Sequence, residues 1–240
     1  MTTAHKNSRK RLVLKLSGEA LAGKKECGID TKIIEAIASD IKSVVAFRIQ
    51  VGIVVGGGNF FRGAMLNGDG ISRITGDHLG MVATMLNAIA MQDIFTRLKV
   101  PTKTMSALPI DGLIERYDYR RAIDYLTQGF VVIFAGGIGN PLVTTDTALC
   151  LRGIELGADL LLKATNVDGV YSKDPKKNPS AKLYRKLTYD KALAEKLAVM
   201  DLSAFCLGRD HKMKLRVFNI SKKGALLRIV QGLDEGTLIE

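Results

Sequence analysis

The sequence predicts an α/β domain built on a mainly parallel central sheet. Short apolar runs rich in β-branched residues alternate along the chain with segments whose apolar residues recur at helical spacing. Three of these runs end directly in a glycine-containing turn, and no internal repeat or Ser/Pro-rich linker interrupts the alternation. We therefore expect a basic arm at residues 1–10 and one domain over residues 11–240, with right-handed crossovers between parallel strands.

The first part of the chain alternates strand, helix and strand. Residues 12–16 are apolar except for Lys15 and end in the turn Ser17–Gly18, which predicts a buried strand. Apolar residues recur every three or four positions over 31–47, as in an amphipathic helix. The run 51–55 predicts a second buried strand, and three successive glycines follow it.

The same two patterns predict the remaining elements. In chain order they are a polar connector at 21–28, a helix at 79–97 after Gly76-Asp77-His78, a strand at 102–107, a helix at 116–126, a strand at 131–135, a helix from 147 to 158, a strand at 159–163, a helix at 190–200, a further helix capped by Asp201, and strands at 216–220 and 236–239. Because the strands alternate with helices throughout, the sheet should be mainly parallel.

Composition and charge exclude several classes of protein. The chain has 240 residues, 47% hydrophobic and 25% charged, which is ordinary for a globular domain with its own core. No apolar run reaches the roughly 20 residues that span a bilayer, so we expect no membrane partner. The cysteines, Cys27, Cys150 and Cys206, are odd in number and form no C-x-x-C pair, which indicates reduced thiols in the cytoplasm and no zinc site.

The net charge of +11 permits nucleic-acid binding, but the basic residues are spread along the chain and do not alternate with aromatic ones. Anionic small substrates, or a solvated basic surface, fit this pattern better than sequence-specific nucleic-acid recognition.

Residues 131–146 combine a buried strand, a glycine turn and the start of a helix. Gly136, Gly137 and Gly139 allow a close approach to a ligand, and Thr144 to Asp146 can cap the helix predicted from Thr147. Such a turn offers backbone N–H groups and a helix N-terminus to an anion, although a plain capped turn has the same pattern. Since the carboxyl ends of parallel strands share one edge, three such turns would suit a nucleoside triphosphate facing a second phosphorylated molecule. Neither the P-loop motif nor the dinucleotide fingerprint is present.

Charged residues beside these turns suggest phosphoryl transfer. Lys15 and Lys163 each lie at the end of a predicted strand, where a fixed cation could compensate phosphate charge. Lys15 could instead extend its stem from a sheet edge. Asp146 could orient the lysines, hold Mg²⁺ or simply cap a helix. Arg62 could grip a phosphate.

Three further residues allow two interpretations each. Asp77 could accept hydrogen bonds from ribose hydroxyls or cap the helix that follows it. Tyr171 and Asp174 could flank a purine and its ribose or close a turn.

Eight motifs, in order, carry a resemblance to a known family. They are Lys-Leu-Ser-Gly-Glu-Ala at 15–20, Gly-Gly-Gly-Asn-Phe-Phe-Arg-Gly at 56–63, Gly-Asp-His-Leu-Gly-Met at 76–81, Gly-Asn-Pro-Leu-Val-Thr-Thr-Asp at 139–146, Leu-Arg-Gly-Ile-Glu at 151–155, Lys-Ala-Thr-Asn-Val-Asp-Gly-Val-Tyr at 163–171, Arg-Asp-His-Lys at 209–212 and Val-Phe-Asn at 217–219. From about Arg11 onward the chain resembles the bacterial uridylate kinases of the amino acid kinase superfamily.

The resemblance implies transfer of the ATP γ-phosphoryl group to UMP with Mg²⁺, in pyrimidine nucleotide biosynthesis. It implies Lys15, Asp146, Arg62 and Lys163 as catalytic residues. It implies ATP contacts from Lys15, Leu16, Ser17, Gly18, Gly58, Arg62, Thr165, Asn166, Tyr171 and Asp174. It implies UMP contacts from Gly57, Asp77, Ile138, Gly139, Asn140, Pro141, Leu142, Val143, Thr144 and Thr145.

The resemblance further implies a three-layer α/β/α sandwich, a homohexamer, inhibition by UTP and, in many relatives, activation by GTP. Ile138 departs from the threonine expected in many relatives, so a hydroxyl contact near the uracil would be absent.

Two other functions remain open at this point. A kinase of the same superfamily acting on a carboxylate or carbamate would need no ribose acceptor such as Asp77. A non-catalytic nucleotide sensor or RNA-binding regulator would fit the net charge, but it would not require Lys15 and Asp146 together with all the loops.

Overall fold

The computed structural model describes residues 10–61, 70–197 and 199–240. Over these residues, nine strands form one sheet in the order β4-β3-β5-β2-β1-β6-β8-β9-β7. The strands are β1 (Arg11–Leu16), β2 (Gln50–Val55), β3 (Thr102–Ser106), β4 (Glu115–Arg116), β5 (Val131–Ala135), β6 (Leu160–Thr165), β7 (Lys186–Leu187), β8 (Leu215–Asn219) and β9 (Thr237–Ile239). The helices are α1 (Gly18–Ala22), α2 (Thr31–Ala46), α3 (Arg73–Arg97), α4 (Tyr119–Gln128), α5 (Thr145–Glu155), α6 (Tyr189–Ala194), α7 (Leu202–Asp210) and α8 (Ala225–Val230).

The sheet is parallel except where β9 runs antiparallel to β8. Strand β1 occupies the middle, with β2 on one side and β6 on the other. Because β1, β2, β5 and β6 are mutually parallel, the turns that follow them lie along the same edge of the sheet.

Side chains alternate between two hydrophobic cores on the two faces of the sheet. On β1, Leu12, Leu14 and Leu16 face the core shared with α2, α3 and α8, whereas Val13 faces the core shared with α4 to α7. Helices therefore cover both faces, and the expected three-layer α/β/α sandwich is confirmed.

The long helix α3 begins six residues earlier than the sequence suggested. It starts at Arg73, because the hydroxyl of Ser72 accepts a hydrogen bond from the backbone N–H of Thr75 at 3.2 Å and caps the helix. The prediction that Gly76, Asp77 and His78 precede the helix was therefore wrong, and Asp77 is not a cap. Apolar periodicity gave no sign of this first turn.

Other boundaries also differ from the sequence predictions; α5, for example, spans Thr145–Glu155 instead of 147–158. Helix α4 begins at Tyr119, since Asp118 caps it, and Arg116 belongs to the short edge strand β4. The segment predicted as a connector begins inside α1, which Ser17 caps. The helix predicted over 190–200 ends at Ala194.

Helix α3 is long and apolar enough to cross a membrane by length and composition alone. Half of its most apolar stretch is buried inside the protein, and the helix packs against α2 and against strands β2, β3 and β5.

Candidate active site

The two lysines singled out in the sequence lie side by side at the edge where the strand ends gather. Lys15 on β1 and Lys163 on β6 are paired in the parallel register. Alternation along each strand turns both side chains toward the face covered by α5. The first turn of α5 supplies the carboxylate of Asp146 to this face.

Asp146 lies between the two ammonium groups. Its Oδ1 is 3.3 Å from Nζ of Lys15, and its Oδ2 is 2.5 Å from Nζ of Lys163. All three side chains are nearly buried, with exposed fractions of 11–12%. Thr144, and not Asp146, caps α5: its hydroxyl accepts a hydrogen bond from the N–H of Asp146 at 3.0 Å. The carboxylate is therefore free to bind the lysines, and the helix N-terminus favours its negative charge.

Burial and charge oppose each other in this cluster. Burial alone would raise the pKa of Asp146, but attraction to Lys15 and Lys163 outweighs it and leaves the pKa below its ordinary value. Burial lowers the pKa of Lys163, and the attraction of Asp146 only partly offsets that effect. With both amines protonated, Lys15, Asp146 and Lys163 together carry a net charge of +1, which suits an incoming phosphate; the carboxylate of Asp201 also attracts Lys163.

Asp201 ties the start of α7 to the start of α5. Its carboxylate caps α7 through the N–H of Ala204 at 2.9 Å and accepts hydrogen bonds from the hydroxyls of Thr144 and Thr147. Lys163 also donates to the backbone carbonyl of Val199, just before this cap. The sequence indicated Asp201 as a cap but gave no sign that it binds α5, because that contact spans more than fifty residues.

The glycine turns after β1 and β2 interlock. A Cβ on Gly18 would lie 2.5 Å from the backbone nitrogen of Gly58 and 2.5 Å from Oδ1 of Asn59. A Cβ on Gly57 would lie 2.5 Å from the carbonyl oxygen of Gly80 on α3. Since no side chain fits these spaces, both positions require glycine for close approach of the backbone.

A buried pair of amides fixes the turn after β2. Asn87 on α3 donates to the carbonyl of Gly56 at 2.7 Å and pairs with the side chain of Asn59. Asn59 also donates to the carbonyl of Gly28 at 2.8 Å. Sequence analysis missed Asn87, although an asparagine within an apolar helical run is a signal that a polar contact must satisfy it.

A cavity of about 190 Å³ lies between α3 and the loops after β2 and β5. The cavity is lined by Gly57, Gly58, Phe61, Arg73, Gly76, Asp77, Gly80, Met81, Thr84, Gly137, Ile138, Asn140, Val143, Thr144 and Thr145. Seven of the residues predicted to bind UMP are among them; Gly139, Pro141 and Leu142 belong to the same loop without lining the cavity. Sequence analysis missed Arg73, Thr84 and Gly80 as lining residues. Of the lining residues on α3, Arg73, Gly76 and Asp77 lie in the turns that precede the predicted start of the helix.

Asp77 already has protein partners. Its carboxylate is 3.0 Å from Nε of Arg73 and accepts a hydrogen bond from the backbone N–H of Leu142 at 2.8 Å. It therefore fastens the loop after β5 to α3, a role that sequence analysis did not foresee.

The residues predicted to bind ATP are less closely gathered. Leu16 is fully buried in the core, so it can offer a ligand only its backbone. Thr165 ends β6 and bonds to neighbouring carbonyls, whereas Asn166 and Asp174 are exposed. Asp174 accepts from the N–H of Lys176 at 2.9 Å and so closes a turn.

Other members of that predicted set flank the same edge. Tyr171 bridges to Leu183, and the hydroxyl of Ser17 accepts a hydrogen bond from the N–H of Ala20. Arg62, predicted as a phosphate ligand, lies outside the residues that the structure describes.

The chain is similar in sequence and in structure to several known proteins. A sequence model described as the amino acid kinase family matches residues 10–219. A protein named uridylate kinase from Coxiella burnetii is 55% identical over 240 residues, covering 100% of this chain and 99% of its own. Another from Marinobacter nauticus is 55% identical over 242 residues and covers 100% of both chains. The crystal structure of UMP kinase from Bacillus anthracis has a TM-score of 0.93 and 40% identity, covering 96% of each chain.

We predict that Asp146→Asn destabilises the protein by about 3 kcal/mol at pH 7, because it leaves two nearly buried ammonium groups without a carboxylate. The folded pKa of Asp146 is lowered, so its stabilisation is present above the unfolded pKa of about 3.9 and is lost as pH falls through the folded pKa. The gap between mutant and wild type should therefore narrow below about pH 4. Urea unfolding between pH 3 and pH 8 measures the free energy of unfolding of both proteins.

The matched control is Asp124→Asn, at an exposed position on α4. It should change the unfolding free energy by less than about 0.5 kcal/mol at every pH. A destabilisation by Asp146→Asn that is independent of pH would contradict the ion-pair interpretation.

Proposed function

This chain belongs to the amino acid kinase family and, within it, to the uridylate kinases, and from that premise we propose that it transfers the γ-phosphoryl group of ATP to UMP, giving UDP and ADP. A nucleoside monophosphate kinase needs two nucleotide sites whose phosphates meet at a cationic centre. The observation that carries the proposal is the cluster of Lys15, Asp146 and Lys163 beside the cavity between α3 and the loop after β5.

Phosphoryl transfer asks the protein chiefly for positioning and for compensation of negative charge. We assign that compensation to Lys15 and Lys163, with Arg62 as a further cation. Asp146 holds the two ammonium groups in place, since each of its oxygens faces one of them. Preorganised charges of this kind need little rearrangement as charge moves during the reaction.

The acceptor fits the cavity that contains Asp77 and the loop after β5. Uridine would meet the backbone of that loop and the side chains of Asn140, Thr144 and Thr145. The carboxylate of Asp77, at the cavity wall, can accept from ribose hydroxyls once UMP is bound. Ile138 lines the same cavity and offers the base only apolar contact and its backbone.

The donor is proposed to lie along the ends of β1, β2 and β6, on the other side of the lysines. The turn at Ser17–Gly18 supports this placement, since it follows Lys15 on β1. Gly58, assigned to ATP, also lines the acceptor cavity, so it lies where the two nucleotides would meet. Thr165, Asn166, Tyr171 and Asp174 follow β6, the strand adjacent to β1, and would contact the nucleoside.

Mg²⁺ is proposed to enter with ATP. Among the described residues no group of three or more His, Cys, Asp or Glu side chains could hold a metal ion. The buried Oδ1 of Asp146 has no hydrogen-bond donor and could contribute one ligand, although Lys15 lies 3.3 Å away. This donor set fits an ion held mainly by phosphate oxygens and water, as is usual for Mg²⁺ in kinases. When bound, Mg²⁺ would neutralise phosphate charge.

For assembly and regulation, the support is the family resemblance. We propose a cytoplasmic homohexamer in pyrimidine nucleotide synthesis, inhibited by UTP and activated by GTP. Exposed apolar side chains on α3, Val82 and Leu86, offer a surface for contact between subunits.

The deciding experiment is ADP release on a panel of acceptors: UMP, dUMP, CMP, aspartate, acetylglutamate and carbamate. UMP should turn over fastest, with dUMP well below it, because dUMP lacks a hydroxyl that can donate to the charged carboxylate of Asp77, a hydrogen bond worth about 1.5–3 kcal/mol. CMP should be almost unused, since its base presents a donor where uracil presents an acceptor. Turnover of an amino acid or of carbamate, with none of UMP, would refute the proposed function.

We predict that Lys15→Met lowers kcat far more than it raises KM for UMP, because the ammonium group acts on charge that develops in the transition state. A fall in kcat of at least 100-fold corresponds to about 2.7 kcal/mol. Steady-state kinetics measures both constants, with circular dichroism to confirm folding. Lys42→Met, at an exposed position on α2, is the control and should leave both constants unchanged. A folded Lys15→Met enzyme with normal kcat would remove this residue from the mechanism.

We predict that UTP competes with UMP, because both carry the same uridine and the cavity would accept either. Raising UTP should increase the apparent KM for UMP without lowering kcat at saturating UMP. Purely noncompetitive inhibition, or none, would place any UTP site elsewhere.

A further inference from the structure

We propose that Thr84 and Arg152 are positioning residues that hold the glycine turn after β5 from opposite faces of the sheet, and thereby set the affinity and alignment of the acceptor. The inference rests on the proposed function, because it assumes that UMP occupies the cavity between α3 and this turn. It adds two residues that are not among the substrate contacts described above.

The turn needs external support. Gly136, Gly137 and Gly139 have φ angles of +71°, +56° and +86°, a region that glycine enters freely but does not prefer strongly. One hydrogen bond within the turn joins the N–H of Gly139 to the carbonyl of Gly136 at 2.9 Å. A backbone with this freedom keeps one conformation only where its surroundings fix it.

Thr84 fixes the turn from the α3 side. Its hydroxyl donates to the carbonyl of Met81 at 2.6 Å and accepts a hydrogen bond from the N–H of Gly136 at 2.7 Å. Because the hydroxyl proton of Thr84 is donated to a carbonyl of its own helix, a lone pair of the hydroxyl oxygen points in a fixed direction toward the turn. Thr84 is 3% exposed, so water cannot replace the contact freely.

Arg152 fixes the next residue of the turn from the α5 side. Its Nη2 donates to the carbonyl of Gly137 at 3.3 Å, and its Nη1 donates to Glu155 at 2.8 Å. The guanidinium carbon lies 3.6 Å from the ring centre of Tyr117, whose hydroxyl donates to the same Glu155 oxygen at 2.6 Å. A carboxylate and an aromatic ring thus aim the buried cation at the turn.

The energetics favour a positional role for Arg152. It is 5% exposed, and its Nε has no hydrogen-bond partner. Burying an ion pair is often no better for stability than an apolar replacement of similar volume. A buried guanidinium with one unpaired N–H group therefore adds little to the stability of the fold. Its rigid, planar set of donors is well suited to holding the carbonyl of Gly137 in one position.

The turn transmits its position to the acceptor side of the site. It leads into residues 138–145, most of which line the cavity. The start of α5, and with it Asp146, is held separately by the contact of Thr144 with Asp201. A shift of about 1 Å in reacting groups can cost on the order of 100-fold in rate. Losing either support should therefore weaken the acceptor step and leave the donor site, built on β1 and β6, largely unchanged.

The test compares Thr84→Val, which keeps the shape and removes the hydroxyl, with Thr84→Ser, which keeps the hydroxyl. In Thr84→Val we expect kcat/KM for UMP to fall about 10- to 100-fold while KM for ATP changes less than about 2-fold. Thr84→Ser should stay within about 3-fold of wild type for both substrates. Calorimetric titration of UMP without ATP should show the same order of affinities.

Arg152→Met and Arg152→Lys extend the test. Arg152→Met should reproduce the selective loss for UMP, and Arg152→Lys should be intermediate because it keeps the charge but loses the fork. In the double variant Thr84→Val with Arg152→Met, the loss should be smaller than the product of the single losses, since both residues hold one turn. Should Arg152→Met fail to fold, the comparison of Thr84→Val with Thr84→Ser still tests the positioning role.

Two failures are distinguishable. If the wild-type enzyme does not phosphorylate UMP, the proposed function is refuted before any variant is compared. If the wild type is active and folded Thr84→Val has normal kcat/KM for UMP, or loses affinity for ATP and UMP equally, only the positioning role is overturned.

Discussion

The carboxylate of Asp146 bridges two nearly buried ammonium groups, and much of the site is arranged to make that contact possible. The parallel register of β1 and β6 places Lys15 next to Lys163. Their two ammonium groups would repel each other without the carboxylate of Asp146 between them. Thr144 caps α5, which leaves the carboxylate of Asp146 to the lysines. Asp201 in turn accepts a hydrogen bond from the hydroxyl of Thr144. The position of Asp146 thus depends on the start of α5, which Asp201, at the start of α7, holds through Thr144.

Helix α3 is the second organising element. Asp77, Thr84 and Asn87 recur at helical spacing and bind the loop after β5, the turn after β5 and the turn after β2 respectively. One helix face therefore sets the relative positions of two loops that belong to separate strands.

The sequence predicted seven of the nine strands and the mainly parallel sheet, because an apolar run with a glycine turn after it is a local signal, but it missed the two-residue strands β4 and β7. It also singled out Lys15 and Lys163, since a lysine inside an apolar strand is a local signal too. It could not predict the start of α3, which depends on one hydroxyl at Ser72. Nor could it predict the contacts of Thr84, Arg152 and Asp201, since each joins residues distant in sequence. The ligand roles assigned to individual residues from the family resemblance stay predictions, and Arg62 lies outside the described chain.

The interlocked glycines at the ends of β1 and β2 limit how this site can evolve. Gly18 and the backbone at Gly58 share one small volume, so a side chain added on the first turn displaces the second and, through Gly57, presses on α3. A single substitution at Gly18 or Gly57 would therefore introduce a clash with backbone of the neighbouring element. New substrate preferences should therefore arise in the loop after β5, where the side chains of Ile138, Asn140 and Val143 line the cavity and can vary, and not at the glycine pair.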